Sequence, residues 1–133
     1  MQTICLCFLK KELTIHRLSA DADIPEAVLG CDFYSISRNP DELTIVASQD
    51  VTIESAKQET GWVCIKVQGP LDFGLTGILS GISGVLAGAG VSIFAISTFD
   101  TDYILVKKEQ ARLSGDALAA AGYQLLPEDA RPS

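Results

Sequence analysis

Two stretches sixty residues apart follow one pattern, so any fold for this chain of 133 residues must build the same unit twice. Phe33-Tyr34-Ser35-Ile36-Ser37-Arg38-Asn39-Pro40-Asp41-Glu42-Leu43-Thr44-Ile45-Val46 is answered by Ile93-Phe94-Ala95-Ile96-Ser97-Thr98-Phe99-Asp100-Thr101-Asp102-Tyr103-Ile104-Leu105-Val106. Ile36-Ser37 falls on Ile96-Ser97, Glu42 on Asp102 and Val46 on Val106. In each copy two β-branched or aromatic runs flank a short polar turn, the pattern of a β-hairpin. A strand precedes each hairpin: Leu13 to Leu18 alternates in one half, and Trp62 to Val67 in the other.

The links between strand and hairpin differ. In the second half, Ile78, Leu79, Ile82, Val85, Leu86 and Ala89 recur at helical spacing, predicting a helix from about Leu75 to Ala89. The first half has room only for a turn or two around Ile24 to Leu29. After the second hairpin, alanine-rich residues 111–121 end at Gly122 as a helix does, and Tyr123 to Leu126 gives a last strand. The second half thus reads strand, helix, strand, strand, helix, strand, the ferredoxin-like βαββαβ plan, and the first half is a trimmed copy. The expected fold class is α+β, two such modules in tandem. Residues 1–60 form the abbreviated module, 61–127 the complete one, and 128–133 a mobile tail. Gly74, Gly77, Gly81, Gly84 and Gly88 line a second stripe on the predicted helix. Interior glycines each cost about 1 kcal/mol against alanine. The compensation expected is a tight helix–helix contact, within the tandem or across a dimer.

Composition removes several classes. At 47% apolar the chain can bury a real core, which excludes intrinsic disorder. A net charge of −7 argues against nucleic acid or an anionic membrane as the main partner. Residues 73–99 carry no charge and are long enough to span a bilayer. Asp72 and Asp100 flank them, however, and Gly88-Ala89-Gly90 interrupts them, so they read as helix, turn and strand of a soluble protein. The lysines near the N-terminus follow an apolar stretch too short for a signal peptide. Cys5, Cys7, Cys31 and Cys64 include no CxxC pair, and His16 cannot complete a zinc site with them. The cysteines are expected to act as small hydrophobes in a reduced, cytoplasmic setting, with no metal and no cofactor.

No nucleotide-binding, nucleophile-elbow or metalloprotease motif is present. His16 lies in an alternating strand and is expected to be solvent-facing or hydrogen-bonded rather than catalytic. The informative cluster is in the second half. Gly69-Pro70-Leu71-Asp72-Phe73-Gly74-Leu75-Thr76-Gly77 joins a strand to a helix start, where free N–H groups and the positive dipole end suit a carboxylate. Ser97-Thr98-Phe99-Asp100-Thr101-Asp102 begins where the next strand ends and offers carboxylates to an ammonium or guanidinium. Taken singly, Asp72 leans to a helix N-cap, and Asp100 and Asp102 lean to turn formers. Together the two loops describe a site for a free amino acid.

On these residues the chain resembles the ACT-domain family, in particular small tandem-ACT proteins related to CASTOR-type arginine sensors. Gly61-Trp62, the loop Gly69 to Gly77, Ile93 to Tyr103 and Ser37-Arg38-Asn39-Pro40-Asp41-Glu42-Leu43 carry the resemblance, which spans roughly residues 11 to 123. It implies regulatory modules that bind small ligands, usually amino acids, at interfaces between modules and do no chemistry. Asp72, Phe73, Gly74, Leu75 and Thr76 would then line a pocket with Ser97, Thr98, Phe99 and Asp100. Asp102 lies close by, and Ser37 is the first module's equivalent of Ser97. The family's arginine sensors have four modules where this chain has two, so an equivalent assembly implies a homodimer. With no catalytic domain attached, a ligand signal would pass to a separate protein partner. The competing expectations are a ligand-free dimerisation or protein-interaction module and, last, a small enzyme.

Overall fold

The computed structural model describes residues 4–68 and 77–126. In chain order they form β1 (Cys5–Phe8), β2 (Leu13–Leu18), a 3-10 turn (Glu26–Gly30), β3 (Ser35–Arg38), β4 (Leu43–Ser48) and β5 (Lys57–Val67). Then come α1 (Ile78–Gly88), β6 (Ile93–Ser97), β7 (Asp102–Lys107), a 3-10 turn (Lys108–Gln110), α2 (Ala111–Ala120) and β8 (Gln124–Leu126). Both hairpins, both preceding strands, both helices and the last strand of the sequence reading are present. The tail 128–133 lies outside the described residues.

Packing divides the chain into two compact units, Lys11–Trp62 and a second made of residues up to Lys10 with those from Val63 onward. In the first, the strands run in the order β3-β4-β2-β5, all antiparallel. Its core holds Leu18, Val28, Leu43, Ile45, Ala47 and Ile53. Only the five-residue 3-10 turn stands where a βαββαβ module has its first helix, and nothing helical follows β4. Abbreviation of this unit is thus a loss of helices, while all four strands persist. The β2–β5 register shifts by one between Leu13↔Trp62 and Ile15↔Glu59, and Gly61 takes a φ of 77° there. A left-handed glycine is what one type of β-bulge requires, so Gly61 belongs to the fold's construction.

The other unit has the order β6-β7-β5-β1-β8, with β1 antiparallel to β5 and parallel to β8. Here the structure departs from a boundary at residue 60, because β1 lies between two strands of the second module. The physical reason is in its side chains. Leu6 and Cys7 point to opposite faces and both have 0% exposure, so this strand needs cover on both sides and takes a central place. The core under the helices joins Leu6, Ile65, Val67, Ile104 and Val106 of the sheet to Ile82, Leu86 and Leu118 of the helices. The predicted apolar stripe of α1 is therefore the buried one.

The glycine stripe divides in two. A Cβ at Gly81 would stand 2.9 Å from the Tyr123 hydroxyl, but Cβ atoms at Gly84 and Gly88 would meet nothing within 4 Å. Among the described residues, then, Gly84 and Gly88 have open space where a side chain would stand. Gly74 lies outside the described residues.

Candidate functional site

The β6–β7 ladder ends at the pair Ser97↔Asp102, and the four residues 98–101 make the turn. The Thr98 amide donates to the Thr101 carbonyl at 2.8 Å. The Thr98 hydroxyl accepts the Thr101 amide at 3.3 Å and donates to the Thr101 carbonyl at 3.1 Å. A side chain that bonds its own turn in this way fixes the backbone locally. Just inside the turn, Ser97 Oγ donates to Asp102 Oδ1 at 2.6 Å. Alternation along the strands puts Ser97 and Asp102 on the face of Ile93, Ala95, Ile104 and Val106, the face the helices cover.

One bond positions the turn. Thr101 is 6% exposed, and its Oγ1 donates to the Val67 carbonyl at 2.6 Å. Val67 ends β5, so the turn is fixed where the chain leaves that strand towards α1. The Gln68 amide donates to the Cys5 carbonyl at 2.9 Å, continuing the β1–β5 pairing one residue past the strand. Its side-chain nitrogen is buried without a hydrogen-bond partner among the described residues. Lys66, on the opposite face of β5, holds its ammonium 6.0 Å from the Tyr103 ring centre, the outer limit of a cation–π contact of about 6 Å.

Ser97, Thr98, Phe99, Asp100 and Asp102 are therefore gathered at one turn, with Phe99 80% exposed and Asp100 exposed at its tip. Asp72, Phe73, Gly74, Leu75 and Thr76 lie outside the described residues. The cap of α1 is Gly77, with a φ of 80°, and the Gly81 amide donates to its carbonyl at 2.7 Å. Ser37 sits in the other unit opposite Thr44, and the pairing shows that it does not correspond to Ser97. Arg38 pairs Leu43 where Ser97 pairs Asp102, an offset of fifty-nine on both strands (97 − 38 and 102 − 43). Asn39 does for the first turn what Thr98 does for the second. Its amide donates to the Glu42 carbonyl at 3.0 Å, and its Oδ1 accepts the Asp41 and Glu42 amides at 2.8 and 3.0 Å. Hydrogen-bond register follows the turn-forming residue, whereas the matched Ile-Ser letters are one position out of step. Thr101 is the residue the sequence reading missed. The Thr-x-x-Thr spacing across a four-residue turn was its only trace.

Other polar groups proposed as bystanders are structural. None of the four cysteines forms a disulfide, and burial pushes the Cys64 thiol up to about 12 against the weaker pull of Lys66. His16 is 2% exposed rather than solvent-facing; its Nδ1 lies 3.0 Å from Ser55 Oγ, and burial lowers its pKa. Among the described residues no three His, Cys, Asp or Glu side chains converge as a metal site. No helix among them is long and apolar enough to cross a membrane.

The ACT domain family model matches residues 57–120, which begin with β5 and contain α1, the β6–β7 hairpin and α2. Residues 57–120 of the chain are an ACT domain. A second model, describing an N-terminal domain, covers residues 11–55. The human protein CASTOR3P is 28% identical over 91 residues, covering 59% of this chain and 56% of that protein. The chain thus spans little more than half the length of this curated relative. Among solved structures, protein Atu0741 from Agobacterium tumefaciens has a TM-score of 0.89 at 38% identity, covering 100% of this chain and 99% of its own. Aspartate kinase from Synechocystis has a TM-score of 0.67 at 18% identity, covering 98% of this chain and 29% of its own, a likeness of fold alone. The ACT assignment fits the strand order of the second unit, with β1 as an added central strand.

Proposed function

We propose that this ACT-domain chain is a non-enzymatic regulatory protein that binds a free amino acid at the β6–β7 turn and signals to a separate protein partner. The observation that carries this reading is the Thr101–Val67 bond, which fixes the turn beside the end of β5. Asp100 and Asp102 then offer carboxylates to a ligand ammonium, while the start of α1 offers amides to its carboxylate. Asp72, Phe73, Gly74, Leu75 and Thr76 are assigned to the same pocket. The protein acts as a homodimer in the cytoplasm, and ligand binding stabilises one arrangement that the partner reads by differential affinity. The ACT domain and the likeness to CASTOR3P support a ligand-binding regulatory role.

Thermal unfolding of the purified protein against each of the twenty amino acids tests it. A specific ligand at 100 times its Kd adds about 2.7 kcal/mol, a rise of several degrees. The rise should vanish in Asp100→Ala. If no amino acid gives a shift, the reading fails. A second reading, ligand-free self-association, draws on the open Gly84 and Gly88 of α1 and on the exposed Phe99. Sedimentation that remains monomeric at high protein concentration would remove it.

A further inference from the structure

The segment 18–37, which links β2 to β3, leaves Ile24, Leu29 and Tyr34 39%, 56% and 40% exposed. These are three of the five large apolar side chains left exposed among the described residues. Single exposed apolar residues are ordinary, but several on one segment bordered by polar groups mark a protein contact. The border here has one sign. Residues 18–37 hold Asp21, Asp23, Glu26 and Asp32 and no lysine or arginine. All four carboxylates are exposed, and none has an ion-pair partner among the described residues. The segment is also held in place. Val28, 0% exposed, plugs the core of this unit, and Ala22, Cys31 and Ile36 pack against the same core. The Arg38 guanidinium donates to the Ala20 carbonyl and, at 2.8 Å, to the Ala22 carbonyl, so it is spent on backbone rather than on the carboxylates. The Ala22 amide donates to the Ser19 carbonyl at 3.0 Å, and the Val28 amide to the Pro25 carbonyl at 3.1 Å. A surface ordered before its partner arrives loses less entropy on binding.

We propose that this surface docks a segment of a partner protein in which apolar side chains are flanked by lysine or arginine. Ile24, Leu29 and Tyr34 supply the apolar contact. The four carboxylates set the sign of the partner and speed its encounter. The unit Lys11–Trp62 reinforces them, with ten of the chain's 17 acidic residues and only four of its 10 basic ones. Such a field repels a second copy of the same surface, an anionic membrane and nucleic acid alike, which leaves a basic protein segment as the occupant. The inference rests on the separate protein partner of the regulatory reading but needs no amino-acid ligand, so it is tested apart from the β6–β7 turn.

The test is fluorescence anisotropy of a labelled Leu/Lys amphipathic peptide titrated with the full chain, with Leu/Glu and Ser/Lys peptides of equal length as controls. The Leu/Lys peptide should bind in the micromolar range and lose at least about fivefold in affinity between roughly 50 and 300 mM salt; neither control should bind. Ile24→Ser combined with Leu29→Ser should weaken binding at least tenfold. Asp23→Asn combined with Glu26→Gln should weaken it and flatten its salt dependence. Both pairs change exposed side chains, so unfolding temperatures should stay near that of the parent. Amide NMR signals within residues 21–34 should move on titration. Absence of binding up to about 1 mM overturns the proposal. So does comparable binding of either control, or binding unchanged in either double variant. Sedimentation in which the parent self-associates and the Ile24→Ser/Leu29→Ser variant is monomeric also overturns it, by making a second copy the occupant. Asp100→Ala should leave peptide binding unchanged; if it abolishes binding while both double variants bind normally, docking belongs to the β6–β7 turn and this inference fails while the regulatory reading stands.

Discussion

Replacing Thr101 with valine removes a hydroxyl and adds a methyl group of nearly the same size, so no cavity opens and the effect isolates one hydrogen bond. That bond is 2.6 Å long, joins residues 34 apart in sequence and is buried. A neutral hydrogen bond contributes about 0.5–1.5 kcal/mol net, and an acceptor left buried without its partner costs about 1–3 kcal/mol. The expected loss for Thr101→Val is therefore about 1–3 kcal/mol. Taking roughly 3–5 °C per kcal/mol for a domain of this size, the midpoint should fall by about 3–15 °C. Thr101→Ser keeps the donor and deletes only a methyl, at about 1 kcal/mol. Urea unfolding of both variants, with amide hydrogen exchange across residues 97–102, gives the comparison. Thr101→Val should raise exchange in the turn more than Thr101→Ser does. If the valine variant matches the parent within about 0.5 kcal/mol while the serine variant drops, packing rather than the hydroxyl fixes the turn. The argument that this bond organises the site then collapses.

Gly61→Ala places a side chain at a φ of 77° with open space around it, so the loss of about 1–2 kcal/mol comes from the backbone alone; Gly61→Asn should cost less in the same unfolding assay. Gly84→Ala, on an open face of α1, should stabilise by about 1 kcal/mol through helix propensity; a drop in stability or a change in sedimentation would instead reveal a close contact there. His16 is held neutral by burial, and its folded pKa lies below the unfolded value of 6.5. Its contribution to stability is thus fully present above that value and declines as pH falls below it towards the folded pKa. Between pH 7 and 5 the parent should lose more stability than His16→Gln, and equal pH slopes would refute this. Cys64, with a thiol pushed up to about 12, should resist an aromatic disulfide reagent at pH 8 until the protein is unfolded.

Much of this fold was legible because its signals are local. Alternation fixed β2 and the hairpins, helical spacing fixed the buried face of α1, and the alanine-rich run ending at Gly122 carried α2 and its stop in its own letters. Even the loss of a helix from the first module showed in the shortness of its link. The clustering of Ser97, Thr98, Phe99, Asp100 and Asp102 was equally readable, because six consecutive residues around a turn cannot be far apart. What sequence could not decide was pairing at a distance. The place of β1 between β5 and β8 depends on which strands bury both faces of Leu6 and Cys7, and no periodicity within four residues names a partner. The hairpin offset of fifty-nine rather than sixty depends on which side chain closes each turn, Asn39 or Thr98, and letter matching is blind to that. Thr101 reads as an ordinary turn threonine until Val67 is found 2.6 Å away.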